Sequence, residues 1–162
     1  MTRTISLSVI GVLFALLVFG APPVGKVSSS EPFDLRGARV TVAGVPSWPL
    51  MSGDEIATPN SAAEVTLKDG SRVVLVKGSK AKVEEKAGKL VVRLLEGASA
   101  YVLSAHPAVA FYVKDKAAAV SGPQGVVSAT ADPQVRQSAV SILGGNAKPA
   151  FKPNPPPQIS GY

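Results

Sequence analysis

The chain has 162 residues, enough for one domain with a substantial core. It has no cysteine and one histidine, His106, which excludes disulfide staples, thiolate nucleophiles, Cys-ligated metals and any site that needs two imidazoles. The formal net charge of +6 is mild, and Arg3 and Lys26 carry part of it near the N-terminus, so the body of the chain falls short of a dedicated nucleic-acid binder.

Residues 1–27 read as an export signal or membrane anchor. Arg3 supplies a positive start, Ile5 to Phe19 is an apolar run, and Gly20-Ala21-Pro22-Pro23 closes it. No charge occurs from Thr4 to Gly25, roughly the 20 residues that a membrane span needs, so residues 5–25 are expected to form an apolar helix. Two cleavage points are readable, after Phe19-Gly20-Ala21 and after Val27-Ser28-Ser29, although Pro22 disfavours the first. Retention as an anchor is the alternative, and lipoprotein processing is excluded because it needs a cysteine. Either outcome places the remainder outside the cytoplasm, in the periplasm or at the cell envelope.

Residues 26–34 read as a polar linker, and a domain is expected over 35–130. Leu35 to Ala43 is predicted as the first strand, Gly44 to Ser52 as a turn region holding Trp48, and Glu55 to Thr58 as a short strand stopped by Pro59-Asn60. Ala63, Val65 and Leu67 then alternate with Glu64, Thr66 and Lys68. Asp69-Gly70 interrupts the pattern, and Val73 and Leu75 resume it. A two-residue type I′ loop would pair Leu67 with Arg72 and Glu64 with Leu75, setting apolar residues against the charged side of the partner strand. A three-residue loop, Lys68-Asp69-Gly70, removes that conflict. It pairs Val65 with Val73 and Ala63 with Leu75, and it requires a positive φ at Gly70.

Lys80 to Lys86 alternates again, with Lys80, Lys82, Glu84 and Lys86 on one face and Ala81 and Val83 on the other. Ala87-Gly88 turns the chain. Strands are expected at Leu90 to Leu95 and Ser99 to Ala105 around Glu96-Gly97, then at Val109 to Val113, Ala117 to Val120 and Val126 to Ala129. Short strands at this spacing, with turn signals between them, specify an all-β fold, a compact two-sheet sandwich or a barrel-like domain of antiparallel strands. Residues 131–143 form a peripheral segment. Gln134 to Leu143 fits either a helix or a strand, and the strand reading is preferred. Residues 144–162 are a Pro-rich tail, disordered by composition.

No phosphate loop, HExxH, GxSxG, EF-hand or dinucleotide fingerprint occurs, so no catalytic residue, metal or cofactor is expected. Asp54-Glu55 and Glu84-Glu85 are adjacent pairs. Neighbours on a strand point to opposite faces, so neither makes a carboxylate dyad. His106 is a lone residue beside Pro107. Lys80, Lys82 and Lys86 can share a face. They read either as a lysine-rich strand that blocks edge-to-edge pairing or as a contact with an anionic envelope polymer or headgroup. Nucleic acid is not an expected partner, since no aromatic row interleaves the lysines.

Over Leu50 to Ser79 the chain resembles the FecR-like extracytoplasmic domain. The resemblance rests on Gly53-Asp54, Ile56, Thr58, Ala62-Ala63, Val65, Leu67, Asp69-Gly70-Ser71, Val73, Leu75 and Ser79. Leu94-Leu95-Glu96-Gly97 and Phe111-Tyr112-Val113 extend it, while Gly122-Pro123 departs from a Gly-Thr step in the family. It marks Gly53, Asp54, Asp69, Gly70, Ser71 and Gly97 as turn and motif positions. The resemblance implies an all-β domain whose best-known relatives are transmembrane regulators that sense a periplasmic receptor and control a sigma factor. Too few residues precede the apolar run for the cytoplasmic segment of those regulators, so the domain is implied and the anti-sigma activity is not. The expected function is an exported, non-enzymatic interaction module that binds an envelope protein or an anionic envelope polymer through strand edges and loops. The alternative is a periplasmic sensor component acting with a separate partner. A hydrolase or carbohydrate-active domain is a third class, and it lacks an acid/base pair here.

Overall fold

The computed structural model describes residues 20–144. The expected N-terminal apolar helix and the Pro-rich tail therefore fall almost wholly outside the described residues. In chain order the strands are β1 (Gly25–Ser29), β2 (Phe33–Leu35), β3 (Ala38–Val40), β4 (Trp48–Leu50), β5 (Asp54–Ala57), β6 (Ala63–Leu67) and β7 (Arg72–Leu75). They continue with β8 (Lys80–Lys86), β9 (Lys89–Glu96), β10 (Ala98–Val102), β11 (Val109–Val113), β12 (Lys116–Ala118) and β13 (Gln124–Ser128), and a helix, α1 (Pro133–Gly144), follows.

The strands form two open sheets. One, sheet A, runs β13-β10-β7-β6-β1-β4, and the other, sheet B, runs β12-β11-β9-β8-β5-β2-β3. The fold is thus the expected sandwich, and neither sheet closes into a barrel. All pairs are antiparallel except β9 with β11. A parallel pair needs a long crossover, and the chain supplies it by placing β10 in the opposite sheet between those two strands. The inner faces bury Val27, Val65, Val73, Leu75 and Tyr101 from sheet A against Phe33, Ile56, Val83, Leu94 and Phe111 from sheet B. Tyr101 and Phe111 meet across the core with ring centroids 4.8 Å apart.

The central hairpin takes the predicted three-residue loop. Val65 pairs with Val73 and Ala63 with Leu75. The Gly70 amide donates to the Leu67 carbonyl at 2.9 Å, the Leu67 amide donates to the Ser71 carbonyl at 2.8 Å, and Gly70 has φ +89°. That is a type I turn followed by a left-handed bulge residue.

Three expectations are corrected. First, residues 26–34 are not a linker. β1 lies between β6 and β4, with Val24 and Val27 in the core, and it straddles the boundary drawn between leader and domain. A Cβ on Gly25 would stand 2.5 Å from the Thr66 carbonyl oxygen, so the strand seats tightly. Second, Leu35 to Ala43 is two strands joined by Arg36-Gly37, both at positive φ, and the turn region 44–52 contains β4. Third, 134–143 is helical rather than extended. Asp132 caps the helix by accepting from the Gln134 amide at 2.9 Å, and Pro133 takes the first helical position. Val135, Ala139 and Ile142 then fall on one stripe over Val76, Ala98 and Val126. The helix covers part of the outer face of sheet A.

Candidate functional site

The motif positions lie at turns and in hydrogen-bond networks of the fold. Gly53, at φ +94°, makes the turn into β5, and Asp54 closes it by accepting from the Met51 amide at 2.7 Å. Arg36 donates to both Asp54 carboxylate oxygens, at 2.6 and 2.8 Å. Burial pushes the Asp54 carboxyl up, but the Arg36 and Met51 hydrogen bonds outweigh it together and hold the group below its ordinary range. Asp69 accepts from the Ser71 amide and hydroxyl at 2.9 and 3.0 Å, and from the distant Ala108 amide at 3.0 Å. The Ser71 hydroxyl in turn accepts from the Ser104 amide at 3.1 Å. The Asp-Gly-Ser block therefore pins the connection from β10 to β11 onto the hairpin loop.

Thr58 and Ser79 do the same on the buried side. The Thr58 hydroxyl donates to the Val76 carbonyl at 2.7 Å and accepts from the Ser79 amide at 3.1 Å. The Ser79 hydroxyl donates to the Ala98 carbonyl and accepts from the Ala98 amide. Gly97, at φ +78°, lets this happen: a Cβ there would lie 2.3 Å from Ser79 Oγ and 2.7 Å from Ser79 Cα.

The adjacent carboxylates separate onto opposite faces, as strand geometry requires. Asp54 meets Arg36 while Glu55 meets Lys80, and Glu84 meets Lys82, Lys86 and Arg93 while Glu85 meets Lys68. His106 is exposed on the connection from β10 to β11. Among the described residues no three His, Cys, Asp or Glu side chains gather as a metal cluster, and no helix is long and apolar enough to cross a membrane.

Two surfaces remain. Lys80, Lys82 and Lys86 share the outer face of β8, as the alternation predicted, but each lies near a carboxylate. The other is a groove at one end of the sandwich that sequence reasoning missed. It has a volume of about 580 Å³ and is walled by Pro59, Ala62, Val76, Val135, Ser138 and Ile142, with Lys77 and Asp132 at its rim. A recess of about 370 Å³ continues it past Lys77 and Gly78 to Glu96, Lys114 and Thr130. The walls come from the β5–β6 connection, the β7–β8 connection and α1. The readable signal was Asp132-Pro133, which starts the helix that forms one wall.

A family model described as "FecR protein" matches residues 54–148, more than half of the chain. No curated protein and no solved structure gives a significant match.

Proposed function

The chain belongs to the FecR protein family, a signalling family associated with the cell envelope, and on that premise we propose that it is an exported, non-enzymatic interaction module. It binds an envelope protein through loops and a strand edge at the groove end of the sandwich. The observation that carries this reading is the groove itself: Pro59 and Ala62 are exposed, and Val135 and Ile142, half-buried where α1 packs on Val76 and Ala98, leave the rest of their apolar surface open to it. Such an opening, apolar with a few polar groups at its rim, suits the side chains of a docked segment. The edges fit the reading. The edge strands β3, β4 and β12 are three residues each, too short to template much pairing, whereas the other edge of sheet A, β13, has five. Its hydrogen-bonded pairs with β10 alternate in step with the Ala129 amide on the Gly97 carbonyl, so Gln124, Val126 and Ser128 turn their backbone groups to the open edge.

Family membership also favours the second reading, a sensor component that passes the binding event to a separate partner. Both readings are tested by an envelope pull-down with the wild-type chain and with Ser138→Trp. Ser138 is exposed on α1 at the groove, so the indole fills the opening without entering the core. A specific protein retained by the wild type and lost by Ser138→Trp is the expected result. Identical retention by both sinks the groove reading.

A further inference from the structure

The outer face of sheet B carries a second surface whose charges do not balance. Register places Lys82 opposite Arg93, Glu84 opposite Val91 and Lys86 opposite Lys89. One carboxylate, Glu84, thus sits between two cationic pairs. Lys82 Nζ is 3.4 Å from Glu84 Oε1, and Lys86 Nζ and Arg93 Nη2 are 3.6 and 3.9 Å from Oε2. These contacts are loose, and Glu84 Oε2 is buried without a hydrogen-bond partner. Arg93 also lies 5.0 Å over the ring of Tyr112, which register places beside it on β11, and it meets the fully exposed Asp115 at 3.6 Å. Lys80, two residues earlier on β8, faces Glu96 and lies 3.5 Å from Glu55, which register places opposite Lys82. The excess charge is therefore local to Lys82, Lys86, Lys89 and Arg93.

From Lys82 to Lys86 is four residues of strand, roughly 13 Å at about 3.3 Å per residue. The two cationic pairs are thus set apart along one line with a carboxylate between them. A small anion centred there would meet Glu84, whereas an extended chain can place successive charges on the two pairs and pass over the middle. α1 packs on part of the other sheet and leaves this face open. The large apolar side chains left exposed among the described residues are Val102, on sheet A, and Val140, on α1, so nothing on this face would insert into lipid. Arg93, stacked on the ring of Tyr112, sets a planar guanidinium beside the charges, which suits a sugar carboxylate.

We propose that the outer face of β8, β9 and β11 is a binding surface for a linear anionic glycan, with Lys82 and Arg93 at one end, Lys86 and Lys89 at the other, and Tyr112 as the ring that holds the Arg93 guanidinium in place. The proposal rests on the interaction-module reading but uses a different surface from the groove, so the two fail separately.

The test measures binding of the full-length chain, held in a neutral detergent, to immobilised polygalacturonate, inorganic polyphosphate and neutral dextran. Binding to a polyanion and not to dextran is expected, weakening as salt rises above physiological strength. The polygalacturonate and polyphosphate arms separate carboxylate from phosphate as the charge recognised. Lys82→Gln with Lys86→Gln should lower affinity about five- to tenfold, the scale of two exposed ion pairs. Lys26→Gln with Arg72→Gln removes the same charge from the outer face of sheet A and should leave binding unchanged. Glu84→Gln removes the opposing carboxylate and should tighten binding several-fold, a gain that a damaged fold cannot produce. Equal losses in both double variants, weaker binding by Glu84→Gln, or no binding to either polyanion each overturns the proposal. Stronger retention on phosphatidylglycerol–phosphatidylcholine vesicles than on either polyanion, abolished by the Lys82/Lys86 change, overturns it in favour of a membrane surface. If neither polyanion binds while Ser138→Trp still loses its protein partner, the interaction-module reading survives and only this surface is withdrawn.

Discussion

Gly97→Ala is expected to be among the most damaging single-methyl changes in this chain. Two effects add. The residue sits at φ +78°, where an L side chain is strained by roughly 1–2 kcal/mol. The new Cβ would also stand 2.7 Å from Ser79 Cα, so backbone must move and not merely a rotamer. Ser79 is buried, and its hydroxyl both donates to and accepts from Ala98. Displacing it leaves buried partners unpaired, worth about 1–3 kcal/mol. The sum is roughly 2–5 kcal/mol, a large part of the 5–15 kcal/mol typical of a domain. With a urea m-value of about 1.5 kcal/mol/M, the unfolding midpoint should fall by roughly 1–3 M. Gly88→Ala is the control. It has φ +75° and nothing within 4 Å, so only the strain applies. Equal midpoints for Gly97→Ala and Gly88→Ala would refute the close-approach argument.

Other consequences are equally direct. Gly70→Val should lower stability by about 1–2 kcal/mol through backbone strain, since a Cβ there meets only Ser104 Cβ at 3.6 Å; an unchanged thermal midpoint contradicts the turn assignment. The carboxyl of Asp54 is held below its ordinary 3.8, so the unfolded chain takes up the proton first as the solution is acidified. Its contribution is complete above that value and is lost as pH falls through the lower folded value. Arg36→Gln removes the largest opposing hydrogen bond, so acid unfolding monitored by circular dichroism should begin at higher pH; an unmoved acid transition counts against the brace. A chain beginning at Ser30 lacks β1 and two core valines worth about 1.5–2 kcal/mol each, and it leaves β4 without its partner. It should show no cooperative unfolding transition, and a cooperative melt for that chain would contradict the role of β1.

How far the sequence carried the reading can be followed residue by residue. The hairpin was legible because Val65, Leu67, Val73 and Leu75 tolerate one register only, and a one-residue slip turns all of them outward. β8 was legible for the same reason, through Ala81 and Val83. β1 was not. Its inward positions are Gly25, Val27 and Ser29, and two of those three carry no apolar signal. They are inward because backbone closeness to Thr66 and a hydrogen bond from Ser29 to the Ala62 carbonyl suit small residues. In α1 the alternating β-branched Val140 and Ile142 argued for a strand, whereas the cap at Asp132 decided for a helix. Local propensity lost to capping and to the stripe packed on Ala98. The motif block could be located but not interpreted. Asp69 reaches Ala108, 39 residues on, and no local pattern reports such a partner. The groove was illegible because its walls are brought together by topology from residues around 60, 77 and 138. The basic row was readable as charge, and Glu84 was readable on its face, but the cross-strand ion pairs of Lys80 with Glu55 and of Arg93 with Glu84 depend on strand register.

The measurement that tests the central claim most directly is site-specific photo-crosslinking in the intact envelope of the native host. A photoreactive residue at Ser138 faces the groove, and one at Lys26 lies on the outer face of sheet A beside Thr66. An interaction module that works through its groove end gives a discrete cross-linked protein from Ser138 and none from Lys26. No adduct at Ser138, or the same adducts from both positions, contradicts the account.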